Sequence, residues 1–330
     1  MKIVRFEKPG PPEVLEYADA PVPEPKPGEV LVRAHSIGVG IPDTVIRRGT
    51  YGWMPPLPAT PGTEMSGTVE KAGAGVTSPR VGQRVYVTAR ERPQRGGCYA
   101  EFIATPADGV FVLPDGVDME AAAALANYQV AYHLLRDGAR ARKGQSILIY
   151  GAAGGMGNAL VDLAKAMGLT AIGVVGSAER AAFAKSLGAD HAIDRKSEDV
   201  AARVKAITGG AGVDLIADLA GGPTVAQNLA MLADMGMLVI YGGLGGNASV
   251  DLMAELRKQM GKCPAVCRFS IHYLDHRPEE RRAGMRDLID MLAKRTIRPR
   301  IGARLPLAEA AKAHAMLEAG TVLGKLLLKP

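Results

Sequence analysis

Cysteine is scarce in this 330-residue chain: Cys98, Cys263 and Cys267 are the only three. An odd, small number of thiols in so long a chain excludes a disulfide scaffold and points to a reducing compartment. Also missing is a long apolar run. The first fifteen residues, MKIVRFEKPGPPEVL, carry charges and prolines where an export signal needs an unbroken apolar stretch. The most apolar region, around residues 147–167, is interrupted by glycines, Asp162 and Lys165, so no membrane span is expected. A cytoplasmic protein is the expectation.

Charge of one sign is in modest excess, at +6. Most of it falls between Arg277 and Arg304, where nine basic residues face four acids. Clustered basic charge attracts phosphate backbones, so a nucleic-acid-binding protein that retains a cofactor fold is one reading of this segment. Met285, Leu288, Ile289, Met291 and Leu292 recur at helical intervals within it, however, and the acids are interspersed. That pattern favours an amphipathic helix with a solvated face.

The length implies two domains. The first 121 residues are rich in proline and glycine, with short alternating runs such as EVLVRAHSIGV, and read as a β-rich domain. From residue 122 to 264, strands and helices alternate. Strands are expected at 146–150, 170–175, 191–194, 214–219 and 237–241, and helices at 155–167, 178–187, 198–207 and 224–235. Such alternation predicts right-handed crossovers and an α/β fold, a doubly wound parallel sheet of the Rossmann type. Residues 265–330 are expected to return to the first domain.

The chemistry centres on ILIYGAAGGMG, residues 147–157. The first amides of a helix lack internal partners and carry the positive end of the helix dipole, so a phosphate is welcome there. Ala152, Gly154 and Gly157 occupy the glycine positions of the dinucleotide fingerprint, with alanine at the first. Ala153, Gly155 and Met156 supply the intervening amides. An NAD site places a carboxylate at the end of the next strand; here Gly176 and Ser177 stand there, followed by Arg180. A hydroxyl and a cation suit a 2′-phosphate, so NADPH is the expected cofactor. Arg195, after the third strand, is a second candidate cation.

Several stretches, taken in order, carry a resemblance: GPPEVLEYADAPVPEPKPGEVLVRAHSIGV, PDTVIRRGTY, PGTEMSGTVEKAGAGV, AAGGMG, VVGSAERAAFAKSLGADHAID and GTVLGKLLLKP. Across nearly its whole length the chain resembles the zeta-crystallin-like NADPH:quinone oxidoreductases, the zinc-free branch of the medium-chain dehydrogenases/reductases. The resemblance implies a GroES-like catalytic domain built from both chain ends around a Rossmann domain, and a homodimer or homotetramer. It also implies cofactor contacts from Gly242, Gly243 and Leu244 after the fifth strand and from Lys325. Gly40 stands where relatives carry a cofactor-binding asparagine. Tyr51 matches a pocket tyrosine that would orient a quinone or enone oxygen, or else serve as an aromatic wall.

Zinc-dependent members of the superfamily need a thiolate and an imidazole at positions that here hold Gly40 and Thr63, with Glu64 beside them. The four-cysteine lobe is missing as well. A second possible cluster, Cys263, Cys267, His272 and His276, would lie along a strand, where four residues span ~13 Å, too far for one ion. No metal is expected. Without a Lewis acid, reduction of an already electrophilic acceptor is the natural chemistry: hydride from NADPH to a quinone, with a proton from Tyr51 or water, or alternatively reduction of an enoyl or 2-alkenal C=C bond.

Overall fold

The computed structural model describes residues 1–243 and 250–330. Along the chain run β1 (Lys2–Arg5), β2 (Glu16–Asp19), β3 (Glu29–Val39), α1 (Ile41–Arg47), β4 (Glu64–Ala72), β5 (Arg84–Thr88), β6 (Phe102–Pro106), β7 (Val110–Val112), α2 (Met119–Ala122) and α3 (Leu125–His133). Then follow β8 (Ser146–Tyr150), α4 (Gly155–Ala166), β9 (Thr170–Val175), α5 (Ala178–Ser186), β10 (His191–Asp194), α6 (Val200–Ile207), β11 (Val213–Asp218), α7 (Val225–Met231), β12 (Leu232–Ile240) and α8 (Leu252–Lys258). The last elements are β13 (Ala265–Arg268), α9 (Pro278–Ala293), β14 (Ile301–Pro306), α10 (Ala310–Glu318) and β15 (Lys325–Lys329). The chain divides into two compact units, Met1–Asn127 with Met285–Pro330, and Tyr128–Gly284.

In the first unit a sheet runs β14-β15-β3-β4-β5-β7, with β6 also paired to β3. The long β3 pairs with β4 along one edge and shares the other between two strands: residues 29–33 pair with β6, and residues 37–39 pair with β15. Phe6, Ile37, Met65, Val87, Tyr99, Leu326 and Leu328 all lie in its core, so the C-terminal strand belongs to the same hydrophobic cluster as the N-terminal residues. Helix α1 follows directly from β3. Asp43 in its first turn accepts the Gly40 N–H at 2.8 Å, satisfying a donor that the helix start would otherwise orphan.

The second unit is a six-stranded, wholly parallel sheet in the order β10-β9-β8-β11-β12-β13. Numbered within the unit this is 3-2-1-4-5-6, the dinucleotide-binding order, in which β8 and β11 flank the switch point. Strands buried on both faces account for the near-continuous apolar runs: Ile147, Leu148, Ile149, Ala171, Ile172 and Val174 are all 1% exposed or less.

Two expectations shift. The helix expected at 224–235 ends at Met231; Leu232 is already extended and pairs with Val213, so β12 starts there, five residues before the expected strand. The segment from 265, expected to begin the return to the first domain, instead opens with β13, which pairs in register with Met237–Ile240 as the edge of the parallel sheet. A strand is expected here from sequence, but a four-residue edge strand carries too short a pattern to say which sheet it joins. The first part of the basic stretch forms α9, with Met285, Leu288, Ile289 and Leu292 buried, and its end runs into β14. Several of the stretch's charges are paired: Arg277 with Glu280, Arg282 with Glu279, Lys294 with Asp290 and Arg304 with Glu120. No helix among the described residues is long and apolar enough to cross a membrane.

Candidate active site

In the second unit the chain leaves β8 through Gly151, whose φ of +67° favours glycine. The Gly151 and Ala152 amides return to the Val174 carbonyl at 2.9 and 3.3 Å, tying the turn to β9. Gly154 caps α4, and the first intrahelical bond runs from Asn158 N–H to the Gly154 carbonyl at 2.8 Å. The amides of Gly155, Met156 and Gly157 precede that bond, so they are the helix's unclaimed donors. Each fingerprint position has a distinct physical task. A Cβ on Gly157 would stand 2.2 Å from the Gly151 carbonyl oxygen, so only glycine lets the helix close on the turn. A Cβ on Gly154 would meet nothing nearer than that same oxygen at 3.5 Å, leaving the backbone open to a diphosphate. Alanine at 152 is accommodated because its partner strand carries Gly173: a Cβ there would come within 2.8 Å of the Ala152 methyl. Ala152 and Ala153 are buried.

At the end of β9, Ser177 caps α5 and accepts the Arg180 amide at 3.3 Å. The Arg195 guanidinium lies beside Gly176, its Nε and Nη2 each 3.9 Å from where a Cβ would be. Lys196 borders the same spot through its Cε, also at 3.9 Å. Sequence reasoning missed Lys196. The Arg195–Lys196 doublet was its only signal, and only the pairing of β10 with β9 brings that doublet to Gly176. No carboxylate is found at 175–177. Gly242 is forced by close approach, because a Cβ there would sit 1.9 Å from the Leu219 carbonyl oxygen, whereas Gly243 is open. Leu244 lies outside the described residues. Exchange of Arg195 and Lys196 for alanine is expected to raise the Kd for NADPH about tenfold for each, about 1.4 kcal/mol per charge-assisted contact, and to leave NADH unaffected. Parallel titrations with the two coenzymes check this, and equal weakening for both rejects it.

In the first unit a buried ionic cluster forms around α1. Lys325 Nζ pairs with Glu64 Oε1 at 2.6 Å, their side chains 4% and 0% exposed. Glu64 Oε2 accepts from the Tyr86 hydroxyl at 3.2 Å and the Ala126 N–H at 2.7 Å. Asp43 is fully buried; burial, opposed by the Gly40 N–H and the Lys325 ammonium, pushes its carboxyl up to about 7. Sequence reasoning passed over Asp43, which reads as an ordinary helix-start residue. The structure thus places Lys325 with Gly40, Asp43 and Glu64, while the glycine turn and the cations around Gly176 belong to the second unit. Tyr51 packs on the first unit's core and pairs with the ring of Trp53 at 5.6 Å.

The donor set does not fit a zinc ion. Gly40 offers no ligand, and both Glu64 oxygens are already occupied. Burial pushes the Cys98 thiol up to about 12, away from the thiolate a metal needs. In the other cluster, His272 bonds Asp275 at 2.8 Å, Cys263 is exposed and Cys267 lies on β13. Among the described residues no group of three or more His, Cys, Asp or Glu could hold a metal.

The Asp43 carboxyl has a consequence for stability. In the unfolded chain it releases its proton near pH 3.9, whereas folded it holds it to about 7. Over that window the folded form binds the extra proton, so stability is lost as pH rises. Asparagine has no such proton. The advantage of Asp43→Asn over the native protein is therefore expected to widen by up to about 4 kcal/mol between pH 4 and pH 8, read from denaturant midpoints. A gap that does not change with pH would refute the assignment.

Fold and donor chemistry together define a zinc-independent medium-chain dehydrogenase/reductase. Residues 26–115 match the alcohol dehydrogenase GroES-like domain, and residues 155–264 match the zinc-binding dehydrogenase family. A quinone oxidoreductase of Pseudomonas aeruginosa is 37% identical over 100% of this chain and 99% of its own. The structure of the Pseudomonas syringae pv. tomato quinone oxidoreductase superposes with a TM-score of 0.88 at 35% identity, covering 100% of this chain and 99% of that one. The Escherichia coli quinone oxidoreductase, solved with NADPH, gives 0.88 at 32% identity, covering 100% of both. The chain belongs to the quinone oxidoreductase family.

Proposed function

We propose that this protein transfers hydride from NADPH to a quinone without a metal. The observation that carries the reading is the second unit's pairing of an open-backed glycine turn with two cations beside a strand end that lacks a carboxylate. When bound, NADPH supplies the hydride. The amides of Gly155, Met156 and Gly157 would hold its diphosphate, and Gly176, Ser177, Arg180, Arg195 and Lys196 would receive the 2′-phosphate. Gly242 and Gly243 would allow the coenzyme to approach the end of β12. Tyr51 would orient the quinone oxygen through its hydroxyl, and Lys325 would hold Glu64 and the edge of Gly40 in place.

Free thiols and the absence of any apolar spanning helix among the described residues support a cytoplasmic setting. The β13 edge, preceded by the exposed Met253 and Met260, supports association with a second copy as a homodimer. The ion pairing along α9 argues against nucleic acid as a partner. Purified protein should consume NADPH with 1,4-benzoquinone, and faster than with alcohols or simple 2-alkenals. Turnover of 2-alkenals but not quinones would establish the C=C reductase reading instead, and preference for NADH would overturn the cofactor assignment.

A further inference from the structure

Asp218, the last residue of β11, is 0% exposed, and its side chain collects three hydrogen bonds from neutral donors. Oδ1 accepts the Ala220 N–H at 2.7 Å, and Oδ2 accepts the Thr224 hydroxyl at 2.7 Å and the Asn228 side-chain amide at 2.9 Å. Asn228 Oδ1 in turn accepts the hydroxyl of Tyr150, the last residue of β8, at 2.7 Å. The Asp218 carbonyl takes the Tyr241 N–H at 2.9 Å, just past the end of β12. One residue thus joins the carboxyl ends of β8, β11 and β12 to α7. Burying a carboxyl group costs stability that an apolar side chain would not, so what this satisfied network adds is a single fixed geometry.

The segment so held is the turn from Leu219 to Thr224. Gly221 and Gly222 have φ of +65° and +61°, left-handed values that fold the backbone back, and the Thr224 hydroxyl reaches the Gly221 carbonyl at 3.2 Å as well as Asp218. Two adjacent glycines give the turn little stiffness of its own. Its leading residue, Leu219, lies between the glycine turn and the end of β12. Leu219 Cδ2 is 2.9 Å from where a Gly151 Cβ would be, and its carbonyl oxygen is 1.9 Å from where a Gly242 Cβ would be. Sheet order sets which part of the coenzyme passes here. Arg195 and Lys196 follow β10 beside Gly176 at the end of β9, the glycine turn follows β8, and β11 and β12 come next. A dinucleotide with its 2′-phosphate at Gly176 and its diphosphate at the glycine turn must carry its remaining half, the nicotinamide nucleotide, over the ends of β11 and β12.

We propose that Asp218 is a positioning residue for the nicotinamide half of NADPH: with Thr224, Asn228 and Tyr150 it holds the Leu219–Thr224 turn as the wall of the crevice on that side. The inference rests on the coenzyme reading above and adds a second grip, separate from the cations that take the 2′-phosphate. Those cations act through charge at one end and distinguish NADPH from NADH. The turn acts through shape at the other end, where the two coenzymes are identical. Holding it in place before the coenzyme arrives spares the entropy of ordering it on binding. Loss of the network therefore weakens both coenzymes by one factor and leaves untouched a ligand that ends at the first phosphate.

Calorimetric titration of the full chain with NADPH, NADH and adenosine 2′,5′-bisphosphate, which lacks the nicotinamide half, tests this. Thr224→Val removes one hydroxyl with little change in volume. It should raise the Kd for NADPH and for NADH by the same factor, about five- to tenfold, the worth of one buried hydrogen bond. Its Kd for the bisphosphate should stay within about twofold of the native value. Thr224→Ser keeps the hydroxyl and should bind all three ligands as the native protein does. Tyr150→Phe, at the far end of the network, should show the Thr224→Val pattern at about threefold. A Thr224→Val protein with native NADPH affinity overturns the proposal, and so does one whose bisphosphate affinity falls as far as its NADPH affinity, the mark of a general loss of structure. A Thr224→Ser protein that binds NADPH as poorly as Thr224→Val overturns it too. If Thr224→Val does not fold, either of its two overturning results in Tyr150→Phe counts equally. Native protein that binds neither coenzyme overturns the coenzyme reading and this inference together, whereas native protein that binds NADPH, with variants that bind it equally well, overturns this inference alone.

Discussion

Lys325→Met is expected to lower the stability of the first unit by about 3–5 kcal/mol, because it leaves the Glu64 carboxylate buried without its counter-ion. The pair is 2.6 Å apart and almost wholly removed from water, so neither charge can be hydrated when the other is lost. The remaining donors to Glu64, Tyr86 and the Ala126 amide, are neutral and only partly compensate. Adding Glu64→Gln to Lys325→Met should recover a large part of the loss, since an uncharged pair of similar volume has no uncompensated ion to bury. Urea unfolding of the two single variants and the double variant decides the matter. A Lys325→Met protein within about 1 kcal/mol of the native one would show that the ion pair is not what holds the C-terminal strand's side chains in place.

Gly157→Ala is expected to weaken NADPH binding about 10- to 100-fold, equivalent to about 1.4–2.8 kcal/mol, through displacement of the turn. Its methyl would have to occupy a point 2.2 Å from the Gly151 carbonyl oxygen and 2.5 Å from Ala152 Cα, both backbone atoms that no rotamer change can clear. Helix α4 must therefore back away from β8, taking its leading amides with it. Gly154→Ala provides the contrast. There the added methyl finds its nearest neighbour at 3.5 Å, so folding should be unaffected while the methyl stands where a diphosphate would approach. Calorimetric titration with NADPH, alongside thermal melting, separates the two: lower stability and affinity together for Gly157→Ala, lower affinity alone for Gly154→Ala. Normal coenzyme affinity in both would mean that the turn does not hold the diphosphate.

The doubly wound unit was largely legible because its elements announce themselves locally. The apolar runs at 146–150, 170–175 and 191–194 become strands with those same limits, and the glycine turn between the first strand and its helix needs no distant partner to be recognised. Where the local signal weakens, the reading slips. Leu232 extends because Val213 pairs with it, and Ala265–Arg268 becomes a sheet edge because Met237–Ile240 offers a free side; neither fact is written in the segment itself.

Pattern and composition alone determined the α/β class, the parallel crossovers, the phosphate-binding turn and the lack of a carboxylate at residues 175–177, since each depends on residues within one helix or strand of one another. Only the tertiary structure decided that Arg195 and Lys196 flank Gly176, that Lys325 meets Glu64, and that His314 lies between Arg47 and Tyr99. Lys325 and Glu64 are 261 residues apart in sequence, and His314 and Tyr99 are 215 apart. Contacts of that span come from strand pairing and core packing, and their electrostatic character comes from burial, which no single stretch of sequence specifies.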